Sequence, residues 1–307
     1  MGRRAWLLLA ALLVGAVVAV GALSGGLPSA APARPPADPG AAEVQRGSVV
    51  LSVDLTPSGT VWLTTAGVDC GGCVLVWRRG PDEDAWVPLR QVGSDHLPGQ
   101  VRVSDSGSEG LIGGGGLWVT HDGGDSWTGE TDVAVGAGDE VQVEVGESFA
   151  WALVRRERRP ATLWRAALDD GAWRPVALPP GLDPDAAPTA AGDELVVWVT
   201  RRGLPQPVVT TDGGRTWRRS TPGCERIGTT TAYATCSTGR GLELLVHAGA
   251  GWETWPLSAA LGPARNLSPV TAAESVATGR DGTGYVVVRG NLVVTHDRGL
   301  GGWARVE

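Results

Sequence analysis

The chain has no lysine: all 26 of its basic residues are arginine. That absence excludes a Schiff-base lysine, a phosphate-loop lysine and a kinase-type lysine. Together with abundant Ala, Gly and Pro, it points to GC-rich coding more than to function. Two other aromatic types are nearly missing, with 2 Tyr and 1 Phe against 14 Trp. A generic core mixes aromatic types, so the skew points to a recurring structural slot that takes Trp. Outside the N-terminus no segment holds a 3.6-residue apolar period, which argues against a helical fold. A basic surface is missing too. Without residues 1–33 the chain loses Arg3 and Arg4 and no acid, leaving 24 Arg against 33 acids, a balance of −9. Such a surface disfavours nucleic acid or anionic lipid as the main partner. The 307 residues allow one large domain or two ordinary ones.

Arg3 and Arg4 precede an apolar run from Ala5 to about Leu23. Basic residues before such a run form an export signal, and its length of about 19 residues leaves both cleavage and retention as a membrane anchor open. Small residues for cleavage stand at Ala31-Pro32-Ala33, and no Cys precedes Cys70, which argues against a lipoprotein. Residues 24–46 are Pro-, Ala- and Gly-rich and read as an extended spacer. The expected location is therefore extracytoplasmic, either secreted or anchored in a bacterial membrane through residues 1–23. Four cysteines, Cys70, Cys73, Cys224 and Cys236, fit disulfides in an exported domain. Three pairings are open, the simplest being Cys70–Cys73 with Cys224–Cys236. A redox Cys-x-x-Cys lacks its βαβ context, and a four-Cys zinc site lacks a second Cys-x-x-Cys.

Internal repeats organise the rest. Thr120-His121-Asp122-Gly123-Gly124-Asp125-Ser126-Trp127 matches Thr210-Thr211-Asp212-Gly213-Gly214-Arg215-Thr216-Trp217, and both follow a short apolar strand. A third copy, Thr295-His296-Asp297-Arg298-Gly299-Leu300-Gly301-Gly302-Trp303, has one extra residue before its Trp. The chemistry reads locally. An Asp ahead of flexible positions turns its carboxylate onto backbone N–H groups of its own loop. Gly supplies positive φ, the first hydroxyl closes the loop, and the Trp starts the next strand. Degenerate copies end at Trp86, Trp173 and Trp252. The six closing Trp are thus 41, 46, 44, 35 and 51 residues apart.

This motif is the Asp-box, and the chain resembles the bacterial neuraminidase (BNR) repeat proteins, which include sialidases and many non-enzymatic propellers. Similar repeats occur in sortilin-type receptors and photosystem II assembly factors. The span 47–307 divides into six units of about 43 residues, against roughly 40–45 for a propeller blade. Two strand-like segments precede each hairpin, such as 48–55 and 60–65 in the first unit. The expected fold is all-β: a six-bladed propeller of four-stranded antiparallel blades, with approximate limits 47–91, 92–132, 133–178, 179–221, 222–262 and 263–307. An N-terminal apolar helix and the Pro/Ala-rich linker precede it.

The resemblance implies a structural role for the Asp-box residues: Thr120, Asp122, Gly124, Ser126 and Trp127; Thr210, Asp212, Gly214, Thr216 and Trp217; Thr295, Asp297, Gly299 and Trp303. In the sialidase family these boxes lie on the blade periphery, away from the active site. The family binds the sialic carboxylate with three Arg and uses a Tyr–Glu nucleophile pair with an Asp acid/base. Here the first unit lacks the early aromatic-Arg-Ile-Pro run. The one Arg-Ile is Arg226-Ile227, and the Tyr candidates are Tyr233 and Tyr285, the latter at a packing position of a second strand. His96, His121, His247 and His296 are scattered, and Gly113–Gly116 precedes no helix and is no phosphate loop. Arg155-Arg156-Glu157-Arg158-Arg159 reads as a solvated hairpin. The sequence therefore points to a monomeric binding or scaffold module for a protein or glycan partner, with no cofactor, metal or nucleic acid. An exo-α-sialidase-like hydrolase is the alternative.

Overall fold

The computed structural model describes residues 49–66, 73–92, 99–157, 159–169, 171–179, 184, 188–201, 204–222, 226–229, 234–238, 241–248, 251–256, 273–278, 283–288, 291–296, 298 and 304–305. Residues 1–46, expected to hold the export signal and linker, and Cys70 and Cys224 lie outside them.

Six antiparallel four-stranded sheets follow one another along the chain, each built from four consecutive strands. The first holds β1 (Val49–Leu55), β2 (Val61–Ala66), β3 (Val74–Arg79) and β4 (Val87–Val92). The second holds β5 (Gln100–Val103), β6 (Gly110–Gly113), β7 (Leu117–Thr120) and β8 (Thr128–Gly129). The third holds β9 (Glu140–Val145), β10 (Phe149–Arg156), β11 (Arg159–Ala167) and β12 (Arg174–Val176). The fourth holds β13 (Thr189–Ala191), β14 (Glu194–Arg201), β15 (Leu204–Thr210) and β16 (Arg218–Arg219). The fifth holds β17 (Arg226–Thr229), β18 (Ala234–Thr238), β19 (Gly241–Ala248) and β20 (Gly251–Pro256). The sixth holds β21 (Ala273–Thr278), β22 (Gly284–Val288), β23 (Asn291–Thr295) and β24 (Ala304–Arg305).

Each sheet touches the next, and the sixth returns to the first. Val101 N–H donates to Ser52 Oγ at 3.2 Å between the first and second sheets. Val143 N–H donates to Gln100 Oε1 at 2.9 Å between the second and third. Glu147 N–H donates to Gly192 O at 3.0 Å between the third and fourth. Trp198 and Trp252 pack at 5.4 Å between the fourth and fifth, and Glu253 pairs with Arg298 between the fifth and sixth. Val53 N–H donates to Ser275 Oγ at 3.2 Å, joining first to sixth. This is a β-propeller of four-stranded antiparallel sheets. The first strands of the first, second, third, fourth and sixth sheets line its central cavity, and the fifth sheet meets that cavity with β19 and β20.

Val, Leu and Trp from second and third strands fill the spaces between sheets. Trp62, Trp151 and Trp198 on second strands are almost fully buried, as the shared register of β2, β10 and β14 requires. Trp255, which fits no slot in the repeat, lies on β20 and packs where a Cβ on Gly284 of β22 would stand 2.7 Å from its ring. The Gly113–Gly116 run lets the second sheet approach the third. A Cβ on Gly113 would meet Val141 O at 2.4 Å, and Val141 N–H donates to Gly114 O at 2.7 Å.

Prolines hide the start of one strand. The sequence places the third strand of unit four at 207–209, whereas β15 starts at Leu204 and runs through Pro205 and Pro207. The outer strand β16 pairs only with Val208 and Val209, so the proline stretch donates nothing to that ladder.

Surrounding space sets a difference between two glycines of similar backbone conformation. Gly124 has φ +89°, and a Cβ there would lie 2.8 Å from the Trp62 ring and from Leu89 Cδ1. Gly138 has φ +83° and open space around it. We expect Gly124→Ala to destabilise the chain by about 3 kcal/mol and Gly138→Ala by about 1 kcal/mol, because only the first adds overpacking to conformational strain. Urea unfolding followed by Trp fluorescence measures the gap, and equal midpoints would contradict it.

Candidate functional site

The motif residues picked out by sequence build two matching turns. In the first, Thr120 Oγ donates to Asp122 Oδ1 at 2.8 Å, while Gly124 N–H donates to Thr120 Oγ at 2.9 Å. Ser126 N–H donates to Asp122 Oδ1 at 2.8 Å and Ser126 Oγ to Oδ2 at 2.6 Å. The second turn repeats these contacts through Thr210, Asp212, Gly214 and Thr216, at 2.9, 2.8, 2.9 and 2.6 Å. Hydrogen bonds from Ser126 and from Thr216, first among the causes, hold each Asp carboxyl down at a pKa of about 2. Most of each carboxylate's acceptor capacity is thus used inside the turn.

These turns also hold the sheets together. Arg78 of the first sheet donates to Gly123 O at 3.0 Å, and Arg165 of the third donates to Gly213 O at 2.7 Å. Arg78 lies over the Trp62 ring and Arg165 over the Phe149 ring, at 5.9 and 4.9 Å. Trp127 is buried directly before β8, and Trp217 stands half-buried before β16. In the third copy, Thr295 is buried and His296 exposed, while Asp297, Gly299 and Trp303 lie outside the described residues. His121 is exposed and contacts Glu109. No cluster of three metal-ligating side chains occurs among the described residues. Cys73 is buried and no free thiol stands among the described residues.

Among the described side chains, the one sialidase candidate that can be placed is Tyr285, and it lies in the core. Tyr285 is buried in an apolar cluster with Val53, Leu63, Trp77 and Trp86, and its OH accepts from Arg79 Nη2 at 3.3 Å. Tyr233 lies outside the described residues, as does the side chain of Arg226.

A different group emerges where the inner strands converge. A cavity of about 570 Å³ is lined by β1, β5, β9, β13 and β21 and extends to β19 and β20. Its inner wall carries Asp54, Arg102 and Glu144, one from each of the first three sheets. Arg102 Nε donates to Glu144 Oε2 at 3.3 Å, and its Nη1 donates to Val53 O at 3.2 Å and Val101 O at 2.8 Å. Val103 N–H donates to Asp54 Oδ2 at 2.7 Å, and Val145 N–H to Glu144 Oε1 at 3.1 Å. Arg102 and Glu144 are more than nine-tenths buried, and Asp54 is half-buried.

Burial pushes the Glu144 carboxyl up to about 7, against the pull of Arg102, with Asp54 adding repulsion. Burial also raises Asp54, again opposed by Arg102. Two acids sharing one guanidinium in a cavity is the kind of perturbed set that marks functional sites. Sequence reading missed it while searching for an arginine triad. The signal was present as Val53-Asp54-Leu55, Val101-Arg102-Val103 and Val143-Glu144-Val145: a charge between two apolar residues on each first strand.

A pH experiment follows from Glu144. Its folded pKa lies above the ordinary 4.5, so between pH 4.5 and 7 the folded state holds more proton than the unfolded one. Stability from this group is complete below pH 4.5 and falls as pH rises to about 7. The loss is at most about 3 kcal/mol. Glu144→Gln should remove this decline while the natural chain shows it. Urea midpoints for the two proteins at pH 5 and pH 7.5 provide the check, and parallel pH profiles would refute the assignment.

No protein family model and no curated protein matches the sequence. Solved structures do match in fold. The Aleuria aurantia lectin, solved as a point mutant in complex with Fucα1-6GlcNAc, gives a TM-score of 0.53 at 14% identity, over 85% of this chain and 95% of the lectin. The β-propeller domain of the Trilobed protease from Pyrococcus furiosus gives 0.50 at 11% identity, over 84% of each chain. The Niastella koreensis GH74 enzyme gives 0.49 at 14% identity over 83% of this chain, which spans only 46% of that enzyme. At these identities the comparisons establish the β-propeller fold and nothing finer.

Proposed function

We propose that this chain is an extracytoplasmic binding or scaffold propeller for a protein or carbohydrate partner in the cell envelope. In this reading the six sheets are six blades of the Asp-box repeat class. Residues 1–23 act as a signal peptide or signal anchor, residues 24–46 space the monomeric propeller from the membrane, and Cys70–Cys73 and Cys224–Cys236 pair locally.

The observation that carries the reading is the cavity of about 570 Å³ at the convergence of the inner strands. Its size falls within the range of about 300–1,000 Å³ typical of ligand sites. Among the described residues its lining holds five carboxyl groups and two guanidinium groups. That balance repels an anionic sugar, and Tyr285 is committed to the core. Both points weigh against sialidase chemistry and towards binding of a partner that is not anionic.

Two measurements test this reading. Cell fractionation should place the protein outside the cytoplasm, and its recovery in the cytosol would remove the envelope role. The purified full chain should leave a fluorogenic sialoside intact. Turnover abolished by Tyr285→Phe or Tyr233→Phe would replace the binding reading with hydrolysis.

A further inference from the structure

We propose that the inner wall of the central cavity binds a neutral saccharide, holding an adjacent pair of hydroxyls between Arg102 and the carboxylates of Asp54 and Glu144. The inference rests on the binding reading above and narrows it to one ligand class and one site.

Three observations carry it. The first is the guanidinium itself. Arg102 is 6% exposed and lines the cavity. Its Nε and Nη1 are occupied by Glu144, Val53 O and Val101 O, while Nη2 has no hydrogen-bond partner among the described residues. This nitrogen is not among the buried donors left unpartnered, and the residue lines the cavity, so it can donate to an acceptor brought by a ligand in place of water. The second is the carboxylates. Each accepts a backbone N–H, Asp54 from Val103 and Glu144 from Val145, and each oxygen has further lone pairs available to a donor. A group satisfying both sides must accept from Arg102 and donate to an acid within a short distance. Adjacent sugar hydroxyls do so, since each hydroxyl both donates and accepts. The third is charge. Arg102 is already paired with Glu144, Arg298 is paired with Glu253, and Asp54, Asp105 and Glu147 add further carboxyl groups to the lining. A carboxylate, phosphate or sulfate ligand entering this wall meets net repulsion, so a neutral polyol is favoured over a sialylated or sulfated one.

The test is calorimetric titration of the folded full chain at pH 7.5. The probes are the neutral trisaccharides maltotriose, mannotriose and chitotriose, with sialyllactose and a sulfated trisaccharide as anionic counterparts. Binding of a neutral probe is expected, with no binding of the anionic ones. Arg102→Gln removes Nη2 and the charge, and should weaken binding by about 10–100-fold, the range for a hydrogen bond to a charged group. Because Arg102 also bonds to two backbone carbonyls, that variant can lose its fold. Asp54→Asn keeps an acceptor for Val103 N–H and should weaken binding at least about tenfold while its unfolding midpoint stays close to that of the natural chain.

No neutral probe binding to the folded natural chain overturns the proposal, as does unchanged affinity in folded Asp54→Asn, or preference for the anionic probes. A stoichiometric envelope protein bound without any saccharide binding overturns the saccharide site while leaving the binding-module reading standing. Sialoside turnover overturns both.

Discussion

The structure depends on satisfying the inner edges of its first three sheets. Each first strand pairs on one side only, so its other row of N–H and C=O groups faces the neighbouring sheet without a ladder. Such an edge must be paired, covered or bonded by side chains. Here the preceding sheet supplies the acceptors. Ser275 takes Val53 N–H, Ser52 takes Val101 N–H, and Gln100 takes Val143 N–H. Asp54 takes Val103 N–H, and Arg102 returns a donor to Val53 O. One rule thus links the sixth sheet to the first, the first to the second and the second to the third. A single pairwise contact is worth only about 1 kcal/mol net, but leaving one of these groups bare costs about 1–3 kcal/mol.

At the other end of the sheets, the two Thr-x-Asp-Gly-Gly turns carry out the matching task. The Thr–Asp–Ser/Thr contacts stiffen each turn, and the Arg of the preceding third strand clamps its glycine carbonyl. Gly124 and Gly214 allow the turn to lie against Trp62 and Val176 of the preceding sheets. A side chain on either glycine would separate the sheets. The sheets are therefore joined at two radii, by side-chain acceptors at the inner strands and by arginine clamps at the turns. Apolar side chains fill the space between.

This division explains what the sequence made legible. The Thr-x-Asp-Gly-Gly turns are local: Thr120 to Ser126 spans one loop, and its chemistry is readable from spacing alone. The Trp bias likewise reported packing slots, with Trp62, Trp151 and Trp198 in register on second strands. Strand limits were obscured where Pro205 and Pro207 sit in β15, since proline ordinarily ends such a run. The cavity set was obscured for a different reason. Asp54, Arg102 and Glu144 lie 48 and 42 residues apart, and each alone looks like an ordinary polar residue on a strand. They become one group only when three first strands converge. Asp297, Gly299 and Trp303 of the third copy lie outside the described residues, as do Cys224 and the side chain of Cys236.

The charges on the inner wall are not explained by edge satisfaction alone. Ser52, Ser275 and Gln100 accept the same kind of N–H without carrying charge. A neutral amide at position 54 could serve Val103 equally well. A buried ion pair is a poor stability device, because desolvating both partners offsets most of their attraction. Here that cost is visible in the raised carboxyl pKa values of Asp54 and Glu144. Two acids around one arginine also leave a surplus negative charge when all are ionised. A chain that solves the same edge problem with serine and glutamine elsewhere has no packing reason to place charges here. The charges fall on the wall of the cavity of about 570 Å³, and an incoming ligand can use the donor and acceptors that the edge network leaves open.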